Sequence, residues 1–295
     1  MLLPKFEFHE PVTIKKALEL KKKMGPSARL LAGGTDLLVH LKKKIITTDH
    51  IISLQRIEPL AQIRNLKVSV EIGACATMAK ITGTPLISEK FSALKSGVDN
   101  IGTHLIRNRA TIGGNVCNAS PAGDSLPALL IYKAVVLLES LGGKREVPIE
   151  NFFKGPGRTD IKADEIITGF RLPIPPTRSG AHYIQLGKRK SSEINVVNVA
   201  SFLEVEPKTK KILCARIALG SVAATPIRSL KAEALLKDRV AEDPTFYEAG
   251  EIARFEDCKP IDDFRGSAAY RRAMVGVLTK RTLAAAFELA AKCMI

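Results

Sequence analysis

The apolar positions of the first 55 residues follow one helical stripe and two extended runs. The stripe lies between Thr13, a residue type that caps helices, and the pair Gly25-Pro26, which ends them, and it predicts a helix between these points. The elements predicted after it are a strand at 29–32, a turn from Gly33 to Asp36, a short helix through Leu37, Leu38 and Leu41, and a strand at 51–54.

The segment from 56 to 173 mixes strands and helices without strict alternation. Its pattern predicts a strand at 68–72, a helix around 91–101, a glycine-rich loop at 111–124, a helix at 126–132, and strands at 134–138 and 165–170. Because a doubly wound sheet needs regular strand-helix alternation, the mixture favours an α+β fold. The run from Arg171 to Gly180 contains three prolines and a glycine, and it predicts a domain boundary.

Beyond that boundary the pattern predicts a small antiparallel sheet covered by helices. The strands are expected at 181–186, 196–204 and 212–219, and the helices at 230–236 and 267–289. Ser267 is suited to cap the last helix. The apolar face of this helix is expected to include Tyr270, Met274, Val277 and Leu278.

The composition is that of an ordinary globular protein. Of the 295 residues, 45% are hydrophobic and 25% are charged, which is enough for two domains with cores of their own. Apolar runs stay below the roughly 18 residues that span a bilayer, and the N-terminus lacks a signal-peptide pattern, so we expect a cytoplasmic protein without a membrane span. Five scattered cysteines without a CxxC motif argue against a disulfide framework, a zinc site or an iron-sulfur cluster in this chain.

The strong positive charge indicates an anionic partner or an acidic docking surface. Lys and Arg number 45 against 30 Asp and Glu, a formal charge of +15. Only 5% of residues are aromatic, which leaves little for base stacking and argues against nucleic acid. A nucleic-acid-binding module stays open as an alternative, as does a solvated lysine surface. The basic residues form short clusters: Lys21–Lys23, Lys42–Lys44, Lys188–Lys190 and Arg271–Arg272.

No constellation of titratable residues indicates acid-base catalysis or a metal centre. The five histidines are far apart in sequence and are expected to be isolated surface or packing residues. We therefore predict no catalytic residue and no metal ligand in this chain. The histidines are His9, His40, His50, His104 and His182.

Two glycine pairs are the strongest candidates for ligand binding. One lies in the first glycine loop, Ala32-Gly33-Gly34-Thr35-Asp36, and the other in the second glycine loop, Thr111-Ile112-Gly113-Gly114-Asn115. Backbone N–H groups in such turns converge on anions, and glycine lets phosphate oxygens approach the main chain. A single pair also serves plain turns, but two such loops favour a dinucleotide pyrophosphate. Neither matches GxGxxG or the P-loop pattern.

Five segments resemble the FAD-binding medium subunits of the xanthine dehydrogenase and aerobic carbon monoxide dehydrogenase family, the molybdenum hydroxylases. They run through nearly the whole chain in the family's order, and TIGGN followed by SPAGDS is the most specific part. The segments are LAGGTDLL (31–38), IGACATM (72–78), IRNRATIGGNVCNASPAGDSLPALL (106–130), DEIITGFRLP (164–173) and RGSAAYRRAMVGVLTKR (265–281).

The resemblance implies a vanillyl-alcohol-oxidase (PCMH)-type FAD-binding domain of two α+β subdomains. A C-terminal domain with a small antiparallel sheet and helices would follow it. We expect the FAD-binding domain at 1–173, with subdomains at about 1–55 and 56–173, and the C-terminal domain at 178–295.

The resemblance also carries cofactor-binding roles onto this sequence. It implies that both glycine loops hold the FAD pyrophosphate and that Asp124 hydrogen-bonds the adenosine part or the loop around it, with a helix N-cap as its alternative role. Lys188 would lie near the isoalloxazine and raise its potential, unless it is one more exposed lysine. Cys117 would approach the flavin edge or simply pack. The residues expected at the cofactor are Ala32, Gly33, Gly34, Thr35, Asp36, Leu37, Ala76, Gly102, Thr111, Ile112, Gly113, Gly114, Asn115, Cys117, Asp124, Ile166, Ile167 and Lys188.

The implied function is electron transfer inside a larger enzyme. FAD is expected as the only redox group here, because the chain lacks the cysteine-bearing insertion that holds an extra cluster in some relatives. A large subunit with the molybdenum cofactor would oxidise the substrate, and two [2Fe-2S] clusters of a small subunit would pass electrons to FAD and on to an external acceptor. A dimer of heterotrimers is expected. The nearest alternative is a stand-alone flavin oxidase or reductase of the same fold.

Overall fold

The computed structural model describes residues 2–189 and 192–292. Lys190 of the third basic cluster and Cys293 lie outside the described residues. Within these ranges, no helix combines the length and the apolar character that a membrane crossing requires.

The first 55 residues fold around a three-stranded parallel sheet. Its elements are β1 (Glu7–His9), α1 (Ile14–Met24), β2 (Ala28–Leu31), α2 (Leu37–Lys42) and β3 (His50–Ser53), with the strands in the order β1-β3-β2. The predicted start and end of α1 are confirmed, because the Thr13 hydroxyl accepts a hydrogen bond from the Lys16 N–H at 3.2 Å and Gly25 adopts a φ of 56°. The first glycine loop connects β2 to α2.

The next unit is built on a five-stranded antiparallel sheet with the order β4-β5-β10-β6-β7. Helices that follow β5 cover this sheet and form one wall of the site described below. The elements are β4 (Ile63–Asn65), β5 (Ser69–Gly73), α3 (Met78–Thr82), α4 (Pro85–Lys90), α5 (Ser92–Asp99), α6 (His104–Arg107), α7 (Ile112–Asn118), α8 (Ser125–Ile131), β6 (Val135–Ser140), β7 (Gly143–Pro148), α9 (Ile149–Phe152), β8 (Phe153–Gly155), β9 (Arg158–Thr159) and β10 (Ile166–Pro173).

The C-terminal unit is an antiparallel sheet with helices on it, as predicted. Its strands follow the order β11-β12-β13-β14, and the long last helix packs on the first two of them. Half of the run from Arg171 to Gly180 belongs to strands, so only residues 174–178 link the two units. The elements are β11 (Ser179–Leu186), β12 (Val197–Val205), β13 (Ile212–Gly220), β14 (Ile227–Arg228), α10 (Leu230–Leu236), α11 (Asp243–Ile252) and α12 (Ala268–Lys292).

The C-terminal sheet shares a hydrophobic core with the preceding unit. The Tyr132 ring lies between Phe91 and Phe202, with centroid distances of 5.0 and 6.5 Å. The Ser92 hydroxyl donates a hydrogen bond to the Ala181 carbonyl at 2.8 Å. Because the shared core is apolar and buried, it holds the start of the C-terminal sheet rigidly against the helices that carry the site.

The prediction of a glycine-rich loop at 111–124 is wrong for its first half, because residues 112–118 form the helix α7. The Thr111 hydroxyl accepts a hydrogen bond from the Gly114 N–H at 3.2 Å and caps this helix. The second glycine pair therefore lies in the first turn of a helix. Glycine has a low helix propensity, and here its lack of a side chain is used for close packing instead.

The apolar face predicted for α12 is also wrong in part. Leu278 is buried, but the exposed fractions of Tyr270 and Val277 are 47% and 38%. The buried face instead contains Arg271, a charged residue that the sequence pattern assigns to solvent. The pairing of Arg271 with Asp263 explains why this charged residue is buried.

Candidate functional site

A cleft of about 720 Å³ is lined by residues from all three structural units described above, and both glycine loops contribute to this lining. This volume is in the range of about 300–1,000 Å³ that is usual for sites of small molecules and cofactors. The first glycine loop contributes Ala32 to Asp36, and the second contributes Thr111 and residues 113–115.

The first glycine loop is packed directly against the chain that precedes the second. A Cβ atom on Gly33 would lie 2.1 Å from the carbonyl oxygen of Arg109, and Gly34 has a φ of +78°. Position 33 thus has no room for a side chain, and position 34 has a backbone conformation that favours glycine. The fold brings together two segments that are about 75 residues apart in sequence.

The first glycine loop offers unused backbone donors. Within the described residues, the N–H groups of residues 33–36 donate to no protein acceptor, while the carbonyls of Gly34 and Asp36 accept hydrogen bonds from the first turns of α2 at 3.1 and 2.9 Å. Successive unpaired N–H groups in such a turn form an anion-binding concavity. The loop is therefore suited to hold a phosphate group.

The second glycine loop does not offer its backbone in this way, so the expectation that its N–H groups converge on an anion is wrong. The N–H groups of residues 112–115 donate to the carbonyls of Ala76, Ala74 and Thr111 and to the Thr111 hydroxyl, at 2.8 to 3.2 Å. A Cβ atom on Gly113 would lie 2.6 Å from the Ala74 carbonyl oxygen. The missing side chain of Gly113 therefore lets the second loop pack closely against the backbone at Ala74, beneath the cleft.

A side chain of the second loop provides a donor instead. The Asn115 Oδ1 accepts a hydrogen bond from the Ser125 hydroxyl at 2.6 Å, which fixes the orientation of the amide. Its Nδ2 group donates to no acceptor among the described residues, and Asn115 lines the cleft. The amide therefore adds a neutral donor to those of the first loop.

Asp124 is a buried carboxylate at the contact between the cleft and the C-terminal sheet. Its Oδ1 accepts hydrogen bonds from the Tyr183 hydroxyl at 2.9 Å and from the Asn195 amide at 2.7 Å. Burial raises the pKa of Asp124 to about 6, although both hydrogen bonds act to lower it. Asp124 lies at the N-cap position of α8, as the alternative role expects, but its side chain makes no capping hydrogen bond to this helix.

This raised pKa predicts a pH-dependent stability. Folding favours the protonated carboxyl, so the contribution of Asp124 is present below the unfolded pKa near 3.8 and is lost as the pH rises through about 6. Between about pH 4 and pH 7 we expect the free energy of unfolding of the wild type to fall relative to Asp124→Asn by up to roughly 3 kcal/mol. Denaturant unfolding of both FAD-free proteins across this range measures the difference, and parallel pH profiles would contradict the expectation.

The wall of the cleft is apolar at the start of β10 and at α6. Ile166 and Ile167 line it with exposed fractions of 1% and 4%, and Ile101 and Ile106 also contribute. Cys117 lies on the cleft surface, where its dense protein surroundings raise the pKa of the thiol to about 11. The raised pKa keeps this thiol neutral and less reactive, because the thiolate is the reactive form, while the exposure of Cys117 gives no support to a packing role.

Four of the expected cofactor residues do not line the cleft. Ala76 and Ile112 are fully buried behind the lining, and Gly102, with a φ of 52°, packs against Ile106. Lys188 is exposed, and its ammonium group donates a hydrogen bond to the Phe264 carbonyl at 2.6 Å. The structure thus favours the alternative of an exposed lysine.

Several lining residues were missed by the sequence reasoning. Arg29 and His40 flank the first glycine loop in β2 and α2, and this proximity in sequence was an available signal for them. Glu193, Ile194 and the Asp124 partner Asn195 come from the C-terminal unit. No local pattern marks those three, since only the packing of the C-terminal sheet places Glu193 and Ile194 in the cleft lining and Asn195 at Asp124.

The expectation that the five histidines are isolated is wrong for two of them. His9 Nε2 and His50 Nδ1 lie 3.3 Å apart on neighbouring strands, although 41 residues separate them. Parallel pairing of β1 and β3 brings them together, which sequence spacing alone does not show. They do not line the cleft.

The fold and the cleft define a flavoprotein of two parts, and comparison with protein families agrees. Residues 4–175 match the FAD binding domain in molybdopterin dehydrogenase, and residues 182–286 match the CO dehydrogenase flavoprotein C-terminal domain. The chain belongs to the family of FAD-binding medium subunits of molybdenum hydroxylases, which are subunits of multi-subunit oxidoreductases.

Individual relatives match over nearly their whole length. The carbon monoxide dehydrogenase medium chain of Hydrogenophaga pseudoflava is 31% identical over 97% of this chain and 99% of its own. A putative xanthine dehydrogenase FAD-binding subunit of Escherichia coli is 30% identical over 96% of both chains. The structure of Cu,Mo-CO dehydrogenase in its cyanide-inactivated form contains a chain with a TM-score of 0.93 at 31% identity, over 98% of this chain and 100% of that one. The expected family, fold class and cofactor are thereby confirmed.

Proposed function

We propose that this chain transfers electrons from [2Fe-2S] clusters of a small partner subunit to an external acceptor. A large subunit with the molybdenum cofactor would oxidise the organic substrate. The observation that carries the proposal is the cleft, in which both glycine loops, Asn115 and Asp124 meet in a chain of this family. When bound, FAD supplies a redox group that takes up electrons singly and releases them singly or in pairs.

The residues of the cleft fit this cofactor. The N–H groups of residues 33–36 and the Asn115 amide would hold the pyrophosphate, and Arg29 adds positive charge to the same lining. Asp124 would accept a hydrogen bond from a sugar hydroxyl with its Oδ2, which has no partner among the described residues. The isoleucine wall would exclude water from the ring system.

We further propose that the chain works as the medium subunit of a cytoplasmic dimer of heterotrimers. Support comes from relatives that are named medium chains or FAD-binding subunits and are matched from end to end. The formal charge of +15 favours docking on acidic surfaces of partner subunits or of an acidic acceptor. The nucleic-acid alternative loses its support, because residues 4–175 and 182–286 match the domains of a flavoprotein family.

Isolation of the native complex through a tag on this chain tests the proposal. We expect two further subunits to co-purify, with molybdenum and with roughly four iron atoms per flavin, as two [2Fe-2S] clusters require. In stopped-flow experiments, reduction of the clusters should be followed by bleaching of the flavin, and reoxidation by the acceptor should slow as ionic strength rises.

The same purification decides against the alternatives. A chain that purifies alone, binds FAD and turns over an organic substrate would favour the stand-alone oxidase. A reoxidation rate that does not depend on salt would remove the electrostatic docking but leave the electron-transfer role in place.

A further inference from the structure

Three side chains that commonly bind metals meet on one face of the first sheet. In the parallel pairing of β1 and β3, Glu7 lies opposite His50, and His9 follows Glu7 by two residues. Because side chains alternate between the faces of a strand, Glu7 and His9 point to the same side, and the register places His50 beside them. None of the three lines the FAD cleft.

The distances between the donor atoms match a tetrahedral metal site. His9 Nε2 lies 3.3 Å from His50 Nδ1, and the Glu7 Oε2 lies 3.3 Å from His50 Nδ1 and 3.7 Å from His9 Nε2. Donors bound at 2.0–2.2 Å to one tetrahedral ion lie about 3.3–3.6 Å from each other. The three atoms therefore already form one face of such a coordination sphere.

The surroundings of the cluster decide which ion it fits. The exposed fractions of the His9 and His50 side chains are 22% and 24%, whereas that of Glu7 is 72%. The imidazoles are thus partly withdrawn from water, and the outer side of the cluster is open to solvent. Two imidazole nitrogens and one carboxylate suit Zn²⁺ and similar transition metals, while Mg²⁺ and Ca²⁺ prefer oxygen donors throughout.

We propose that Glu7, His9 and His50 bind one divalent transition metal ion of the Zn²⁺ type, with water as the fourth ligand. The ion would join β1, a strand of three residues at the edge of its sheet, to the central strand β3. It would hold the N-terminal segment in place independently of FAD. Since the remaining ring nitrogens of both histidines have no hydrogen-bond partner among the described residues, the affinity is expected to be moderate, roughly micromolar.

The test uses the full chain loaded with FAD and carrying no polyhistidine tag. Zn²⁺ alone is titrated by calorimetry into the wild type, His9→Ala, His50→Ala and Glu7→Gln. His182→Ala serves as the matched control, because His182 is also a partly buried strand histidine and lies outside the cluster. Circular dichroism verifies the fold of each variant, and the flavin content verifies its cleft.

The wild type and the control are expected to bind one Zn²⁺ per chain. His9→Ala and His50→Ala should each bind Zn²⁺ at least about tenfold more weakly than the wild type. The Zn²⁺ affinity of Glu7→Gln should lie between that of the histidine variants and that of the wild type. Co²⁺ in place of Zn²⁺ should give the intense visible absorption of a tetrahedral site in the wild type and in His182→Ala, but not in the two histidine variants of the cluster. Zn²⁺ should also raise the thermal midpoint of the wild type and leave that of His50→Ala unchanged.

Two results overturn the inference. If Zn²⁺ shows no saturable binding to the wild type, His9 and His50 form a hydrogen-bonded pair only and not a metal site. Equal binding by the wild type and His50→Ala would place any bound zinc elsewhere on the chain. Because the flavin content is measured on the same samples, neither result touches the proposed electron-transfer function.

Discussion

Gly33→Ala is expected to lower the FAD content of the purified chain at least about tenfold. The new Cβ atom would lie 2.1 Å from the Arg109 carbonyl oxygen, a backbone atom that cannot rotate away. The loop must shift, and with it the N–H groups of residues 33–36 that would hold the pyrophosphate. Overpacking of this kind costs about 1–3 kcal/mol or more, and each 1.4 kcal/mol is a factor of ten in binding. Flavin absorbance per chain after denaturation measures the effect.

Gly142→Ala is the matched control for this substitution. A Cβ atom on Gly142 would meet nothing closer than the Ser140 hydroxyl at 3.6 Å, and Gly142 does not line the cleft. Its FAD content should equal that of the wild type. If Gly33→Ala kept full flavin occupancy with an unchanged dissociation constant, the first glycine loop would not be the phosphate-binding element.

Asp263→Ala is expected to destabilise the chain by about 3–5 kcal/mol, because it leaves a buried guanidinium without its counter-ion. Arg271 of α12 is 1% exposed, donates to the Ser221 carbonyl at 2.7 Å and is paired with Asp263. The hydrogen bonds from Arg265 and Arg271 hold the pKa of Asp263 well below its usual range, so this carboxylate stays charged at neutral pH. Denaturant unfolding with the far-ultraviolet signal measures the loss.

Glu146→Ala provides the comparison for an exposed pair. Glu146 accepts a hydrogen bond from Arg171 at 2.8 Å, and the side chains are 51% and 36% exposed. Its loss should cost about 0–1 kcal/mol, as is usual for surface ion pairs. Equal effects of the two substitutions would show that Arg271 finds another partner or is hydrated when Asp263 is removed.

The longer elements follow from local sequence. The hydroxyl of Thr13 caps α1, and the apolar runs at 181–186, 196–204 and 212–219 are the strands β11 to β13. Shorter elements such as β8, β9 and α6 were not predicted. Two to four residues carry too little periodicity to distinguish a strand or a helix from a turn.

Part of the candidate site follows from single residues and their neighbours in the sequence, and part depends on residues that are far apart in the chain. The glycines at 33 and 34 are visible in the sequence, because a missing side chain and a left-handed backbone are properties of single residues. The destination of the N–H groups of residues 112 and 113 was not visible. It depends on carbonyls at 74 and 76, which the fold brings under the second loop.

The sequence by itself determined the family, the order of the main elements and the two glycine loops, since these depend on residue types and on neighbours along the chain. Only the tertiary structure decided that Asp124 meets Tyr183 and Asn195, that Arg271 is buried against the Ser221 carbonyl, and that His9 lies beside His50. Each of these contacts joins separate segments of the chain. Their energies come from burial and from pairing across that distance, which no local pattern records.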